Sequence, residues 1–362
     1  MKNATITVGI DTLCYYYPLT YKQKESMIEK LKSAKGFYKD KSDYFSEIKQ
    51  YHSDAYIEYG VKIFLQKYSK GPWHLHLIVH PAKILGDSDR TSLWMPSKSE
   101  YSEISRRITE ILRKAGFNQD VDHLSLTRVD LTANLHFPKQ SVVEEYLRIL
   151  KKGMILPHYR LKKFHEKEHK AKNCKLANTH SYKQNCKSGA FFAYDKISQL
   201  EMIDGFSAGL ADQHILRLEI QLNSKGMKKW LKKEDKCSTW KIIRALSTQH
   251  FEILKWYLSR ILPTACGHIH YGEAAELLEG LRKSKSKERL QYFLRKQSDC
   301  KDLQTALEKT AEKFDLSKSK TRKLLEKCRK IGLNPITLTN SSKHEQFPSL
   351  LDILESNMQF FS

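Results

Sequence analysis

The chain has 362 residues, with 63 lysines and arginines against 41 aspartates and glutamates, and carries a formal charge of +22 at pH 7. That length points to two domains rather than one. No run of about 18 apolar residues is present to cross a bilayer, and the first residues lack the charged, apolar, small-residue order of a leader, so the expectation is a cytoplasmic protein. The excess charge predicts a polyanionic partner, because neutralising phosphates releases their condensed counterions. Seven scattered cysteines without a C-x-x-C pair predict reduced thiols rather than a disulfide frame.

Residues 4–13 alternate Ile6, Val8 and Ile10 against Thr5, Thr7 and Asp11, a first strand with one wet face. After a lysine- and tyrosine-rich connection, Ile57, Tyr59, Val61, Ile63 and Leu65 predict a second. Gly71-Pro72 interrupts the chain. Residues 73–80 predict a third strand with Leu75, Leu77 and Val79 inward and His74, His76 and His80 opposite. The period then becomes helical over 98–115, where Ile104, Ile108, Ile111, Leu112 and Ala115 form a stripe ended by Gly116. Alternation returns at 125–136, with Val129, Leu131, Ala133 and Leu135 inward and Arg128, Asp130, Thr132 and Asn134 outward. A second helix covers 139–152. Residues 151–187 are rich in Lys, His and Asn and read as a basic excursion. Strands follow at 188–196 and at 214–222, where Leu216, Leu218, Ile220 and Leu222 oppose Arg217, Glu219 and Gln221. Beyond about 225 the pattern is helical, near 226–234, 239–262, 271–283, 286–297, 302–314 and 318–331.

Six strands, mostly apolar on one side only, with two helices between them, predict an α+β domain over residues 1–225: an antiparallel or mixed sheet with helices on one face and an open polar face. An all-α C-terminal domain follows over 226–362. The open face collects His74, His76, Arg128, Asp130, Tyr194, Lys196, Arg217 and Glu219. A merely solvated face is usually Lys, Glu and Thr; this mixture offers a nucleophile, hard-metal ligands and guanidinium groups.

On a strand running through residue 196, Tyr194 and Lys196 share a side, and an ammonium beside a phenol favours the tyrosinate that nucleophilic attack requires. An amphipathic core tyrosine with a snorkelling lysine gives the same pattern. His74 and His76, at i and i+2, point the same way and suit a shared cation, as in nucleases that hold a metal with an H-hydrophobic-H strand. A second copy, His268-Ile269-His270, lies outside the sheet region. Residues 165–169 match H-E-x-x-H but sit in a lysine run, which favours a solvated segment over a zincin helix; a structural zinc held by His165, His169, Cys174 and Cys186 is the other reading. Residues 303–331 pair two amphipathic helices across Asp315-Leu316-Ser317. That resembles a helix-turn-helix, with Lys318, Lys320, Arg322 and Lys323 early in its second helix, and an ordinary helical hairpin looks the same.

Together these residues resemble a known family, the replication initiators of filamentous phages of the gene II protein type, with the RstA-type replication proteins of vibrio phages as relatives. The resemblance covers most of residues 4–222. It is carried by Ile10-Asp11-Thr12-Leu13, Pro81-Ala82-Lys83-Ile84-Leu85, Leu126-Thr127-Arg128-Val129-Asp130, Phe192-Ala193-Tyr194-Asp195-Lys196 and Leu216-Arg217-Leu218-Glu219. It implies a HUH/Rep-like fold with Tyr194 as nucleophile, nicking of one strand of phage or plasmid origin DNA, extension of the free 3′ end by host DNA polymerase with a host helicase, and rejoining into a circle. Glu201 lies seven residues after the tyrosine, where relatives carry an acid at five; here that position is Gln199.

The expected chemistry is a metal-dependent nickase in a host bacterial cell. Tyr194 forms a 5′-phosphotyrosine, Lys196 lowers its pKa, Arg128 and Arg217 hold phosphate oxygens, and Mg²⁺ or Mn²⁺ sits on His76, Asp130 and Glu219 with His74. Tyr182 is the next candidate nucleophile. The alternative function is a non-catalytic DNA-binding regulator or structural nucleoprotein using the same basic surface.

Overall fold

The computed structural model describes residues 4–33, 36–39, 49–67, 71–162, 179–204, 212–282, 284–338, 342 and 344–358. Its centre is a ten-stranded sheet, antiparallel at every pairing. The strands are β1 (Thr5–Leu19), β2 (Phe37–Lys39), β3 (Lys49–Ser53), β4 (Val61–Lys67), β5 (Trp73–Val79), β6 (Ser125–Phe137), β7 (Arg160–Leu161), β8 (Ser181–Cys186), β9 (Gly189–Asp195) and β10 (His214–Asn223), in the order β2-β3-β4-β5-β1-β6-β10-β9-β8-β7. The long strands β1 and β6 sit in the middle, and β6 is buried on both faces from Val129 to Leu135; the expected open polar face is therefore closed at the centre of the sheet, where the Thr91 carbonyl bonds Asn134 and Arg217.

The first helices are α1 (Tyr21–Lys32), α2 (Pro81–Ile84), α3 (Lys98–Lys114) and α4 (Gln140–Lys151). Helix α3 buries Ile104, Ile108, Ile111 and Leu112, and α4 buries Val142, Val143, Tyr146, Leu147 and Leu150. These residues join the core that contains Val129, Leu131, Ala133 and Leu135 of β6 and Leu216, Leu218, Ile220 and Leu222 of β10. At about 25 cal/mol per Å² of apolar surface, each fully enclosed aliphatic side chain stabilises this arrangement by roughly 1.5–3 kcal/mol.

Four strands of the ten-stranded sheet have no counterpart in the expectations, one expected strand is shorter, and the C-terminal region expected to be all-α contains a two-stranded pair. Ile57 and Tyr59 continue the alternation of Val61 in sequence, yet residues 57–59 form a 3₁₀ turn with both side chains exposed. Gly60 ends the turn at φ +79, and a Cβ there would lie 2.9 Å from the His80 carbonyl oxygen. Strands β2 and β3 lie inside the tyrosine-rich connection. Strands β7 and β8 lie inside the expected basic excursion, β8 because its inward Gln184 satisfies buried backbone: Oε1 accepts from Leu156 N at 2.7 Å and Nε2 donates to Met154 O at 3.1 Å. The H-E-x-x-H residues and Cys174 fall outside the described residues. The six described cysteines are free thiols.

After α5 (Lys196–Asp204) and α6 (Ser224–Met227) come α7 (Thr239–Thr248), α8 (His250–Ile261), β11 (His268–Ile269), α9 (Tyr271–Glu279), α10 (Lys285–Asp299), α11 (Leu303–Phe314), α12 (Lys318–Lys330), β12 (Gln346–Phe347) and α13 (Leu350–Met358). Ile243 and Leu246 of α7, Ile253 and Leu258 of α8, and Leu350 and Leu354 of α13 belong to the same core as the sheet. A second core is built by Ala274, Leu278, Leu290, Phe293, Leu294, Leu303, Ala306, Leu307, Leu324 and Cys328. The chain leaves the first core near Leu262, builds the second, and returns to the first at Ile336. Strands β11 and β12 pair where it departs and returns. The second H-x-H copy is part of that junction: His268 Nδ1 lies 2.7 Å from Ile336 O, and His270 Nε2 lies 2.9 Å from His344 O.

His250 and His268 are buried, and burial lowers both imidazoles from 6.5 to about 4. A depressed folded pKa gives stability that is complete above pH 6.5 and is lost as the pH falls through about 4. Each is worth roughly 3 kcal/mol. The unfolding midpoint should therefore fall between pH 6.5 and 4, and the fall should be shallower in His250→Gln; equal slopes in thermal melts would remove this account.

A candidate tyrosine–carboxylate site on the sheet

On the side of the sheet away from α3 and α4, cross-strand pairing aligns Arg217 with Tyr194 on one side and with Asn134 on the other, and Gln221 with Asp130. The Tyr194 hydroxyl donates to Glu219 Oε2 at 3.1 Å. Gln221 Nε2 donates to Glu219 Oε1 at 2.8 Å and reaches Asp130 Oδ2 at 3.4 Å. Arg128 forks onto Asp130, with Nε to Oδ1 at 2.7 Å and Nη2 to Oδ2. A phenol, two carboxyl groups and a guanidinium are thus joined side by side across β9, β10 and β6.

A bulge in β1 adds a third carboxylate. The β1–β6 register shifts between Ile10 and Thr12, and Asp11 turns toward β10, where its Oδ1 accepts from Arg217 Nη1 at 2.8 Å. Ile10 is free there to bond the segment that follows α2: its N donates to Trp94 O at 2.8 Å, and Trp94 N donates to Ile10 O at 3.1 Å. Gly9 permits the approach, since a Cβ would lie 2.7 Å from Trp94 O. The Thr91 carbonyl of that segment accepts from Asn134 Nδ2 at 2.8 Å and from Arg217 Nη2 at 2.7 Å. Arg217 Nε donates to Asn134 Oδ1 at 2.7 Å. Arg217 is fully buried with its fork occupied on three sides, so it ties β10 to β6, β1 and the Thr91 segment. The guanidinium at the surface is Arg128, whose side chain is 32% exposed.

The electrostatics follow from this crowding. Burial raises Glu219 above the usual carboxylate range, with Asp11 adding to the shift. Burial lifts Asp130 to about 8 against the opposing Arg128 bonds, and Glu219 adds to the rise. Asp11 is also desolvated, but Arg217, His80 and Lys196 together hold its carboxyl below its ordinary value. Burial and then Glu219 push the Tyr194 phenol well above 10.

Lys196 departs from its expected place. Asp195 Oδ1 accepts from the N–H groups of Ile197 and Ser198, each at 3.1 Å, and this cap turns the chain into α5 directly after Tyr194. Lys196 is therefore the first helical residue, with Nζ on Gln199 Oε1 at 3.1 Å, and the phenol is raised rather than lowered. The lysine still belongs to the site: burial and Arg217 lower it to about 8, while Asp11 and Glu219 oppose the shift.

His74 and His76 occupy the same face but another row. Asp130 pairs with Thr12 and His76 with Tyr16, an offset of four residues along β1, or about 13 Å at ~3.3 Å per residue. His74 Nδ1 lies 2.6 Å from the Tyr16 hydroxyl. His76 meets Tyr16 edge-on, with its Nε2 buried and without a partner, and burial lowers its pKa. The structure joins Asp130 and Glu219 and leaves both imidazoles apart from them; among the described residues no three His, Cys, Asp or Glu side chains are gathered as a ready ligand set. Tyr182 is buried in the helix-side core, and Glu201 is exposed. The site residues missed in sequence are Asp11, Gln221 and Asn134; the period of Thr5, Thr7 and Asp11 already put Asp11 on this face.

No protein-family model and no curated protein matches the chain. No helix among the described residues is long and apolar enough to cross a membrane. The fold and site define an α+β protein with a large antiparallel sheet, a largely buried tyrosine–carboxylate cluster on the face away from α3 and α4, and a largely helical C-terminal region.

Proposed function

We propose that the chain is a rolling-circle DNA replication initiator that nicks one strand of a phage or plasmid origin and later rejoins it through a 5′-phosphotyrosine on Tyr194. The observation that carries this reading is the Tyr194 hydroxyl held 3.1 Å from Glu219 on the sheet face away from α3 and α4, in a chain of charge +22.

Glu219 Oε2, 3.1 Å from the hydroxyl, takes the phenolic proton. The tyrosine oxygen bonds to phosphorus as the P–O3′ bond breaks, and Lys196, lowered to about 8, returns a proton to the departing 3′ oxygen. Rejoining is the reverse: the 3′ oxygen attacks the phosphotyrosine, and Glu219 reprotonates Tyr194. The phosphodiester energy is conserved in the protein–DNA bond, so resealing needs no nucleotide cofactor. Arg128 faces a non-bridging phosphate oxygen. Arg217 is a positioning residue that fixes Asp11 and Asn134.

Neighbouring buried carboxyl groups are the oxygen donors a hard divalent ion satisfies, and Mg²⁺ is commonly held by one or two carboxylates plus substrate phosphate. Asp130 and Glu219 would hold Mg²⁺ or Mn²⁺, which supplies Lewis-acid polarisation of the phosphate when bound. Host DNA polymerase and helicase enter this reading through the resemblance alone.

The test is incubation with supercoiled plasmid carrying the DNA that flanks the coding sequence. The expected result is Mn²⁺-dependent conversion to nicked circles. Retarded but uncut plasmid with every divalent ion tried would leave a non-catalytic regulator or structural nucleoprotein in its place.

A further inference from the structure

We propose that α12 is a duplex-reading helix, seated in the major groove by a three-helix unit made of α10, α11 and α12. This goes beyond the nicking reaction and does not depend on it.

Helix α11 is capped by Asp302, whose carboxylate accepts from Thr305 N at 2.7 Å, and it ends where Asp315 takes a left-handed conformation at φ +46. Leu316, half-buried, packs against the second core. Ser317 then caps α12, its hydroxyl accepting from Lys320 N. Two helices joined by three residues, one of them left-handed, and both resting on a third helix form the unit that presents its last helix to DNA in helix-turn-helix proteins. Leu290, Phe293 and Leu294 of α10 supply that third surface, and Tyr292 closes edge-on over Phe314.

The outer face of α12 points to the partner. Thr321, Leu324, Leu325 and Cys328 turn inward; Ser319, Lys320, Arg322, Lys323, Glu326, Lys327 and Lys330 are exposed. The thirteen residues hold seven cations and one carboxylate, Glu326. A face meant only for solvent gains from mixed signs and from i, i+4 pairs, whereas this one is nearly all positive. Ser319, Lys323, Glu326 and Lys330 lie along its centre, opposite the inward stripe, and carry donors and an acceptor suited to base edges; Lys320 and Arg322 flank them at phosphate positions, and Lys327 is tied back to Ser286.

Fluorescence anisotropy with the full chain and a labelled random-sequence duplex tests this. The variant Lys320→Ala/Lys323→Ala/Lys330→Ala should bind about tenfold or more weakly, and its slope of log affinity against log salt should be shallower by about 0.9 for each phosphate it no longer neutralises. Lys232→Ala/Lys233→Ala/Lys236→Ala removes the same charge from other exposed positions and should bind nearly as wild type. All six side chains are exposed, so matching thermal melts are expected. Equal losses in the two variants, or a loss on single-stranded DNA as large as on duplex, would overturn the assignment. Covalent capture of single-stranded oligonucleotide should persist in the α12 variant, and duplex binding should persist in Tyr194→Phe, so that failure of either proposal is read separately.

Discussion

Tyr194→Phe is expected to abolish the covalent protein–DNA adduct, by at least about a thousandfold, while leaving duplex affinity unchanged. The substitution removes one oxygen, and the ring stays between β8 and β10. The readout is a denaturing gel of single-stranded oligonucleotide labelled at its 3′ end, because the label must remain on the fragment whose 5′ phosphate is captured. Glu219 loses only a donor at 3.1 Å, so the variant should fold normally. An adduct that survives in Tyr194→Phe would remove the nucleophile assignment. Tyr182 is a poor substitute, since it is enclosed in the helix-side core with its hydroxyl accepting from Gln184 Nε2.

Arg217→Met is expected to have the largest effect on stability. The guanidinium is enclosed and bonded to Asp11, Asn134 and the Thr91 carbonyl. Removing it takes the donor from a partly buried carboxylate and from Asn134 Oδ1, while the Thr91 carbonyl keeps Asn134 Nδ2, a change that costs about 3–5 kcal/mol and lowers the unfolding midpoint by roughly 5 °C. Adding Asp11→Asn should recover part of the loss, because the stranded charge goes with it. Arg217→Lys should recover little, since one ammonium does not reproduce a planar fork in three directions. A midpoint within a degree or two of wild type would show that the neighbours relax around the gap.

The parts of this fold legible in sequence are those in which one physical signal dominates. Val129, Leu131, Ala133 and Leu135, like Leu216, Leu218, Ile220 and Leu222, alternate without interruption because both strands lie at the middle of the sheet with helices behind them. The α3 and α4 stripes are equally plain. Strand β8 is hidden because its inward positions include Gln184, whose partners at Met154 and Leu156 are about thirty residues away in sequence.

The site was legible in residue type and sheet face, less so in register. His74 and His76 face the expected side, but their row is set by the irregularities in β1, which composition does not announce. Arg217 reads as a surface cation among leucines; its burial depends on a carbonyl 126 positions earlier. The sequence at 194–198 carries two competing messages. Alternation continues through Lys196, while Asp195 is a good helix cap, and the cap prevails because its second oxygen is also bonded, by Gln140 Nε2 at 2.5 Å and Ser198 Oγ at 2.6 Å.

The return of the chain from the second core to the first has a mechanical consequence. A module hung on one linker would swing, and its distance from the rest of the protein would vary with linker length. Residues 271–333 are instead clamped at both ends, where β11 and β12 pair and Tyr146 donates to Pro348 O at 3.0 Å. Two strands of attachment resist twisting as well as bending, so duplex held on α12 would be presented to Tyr194 with a set spacing and a set rotational phase. An origin read this way should tolerate insertions of a whole helical turn between its binding and cleavage elements far worse than a flexibly tethered enzyme would, and half-turn insertions worse still.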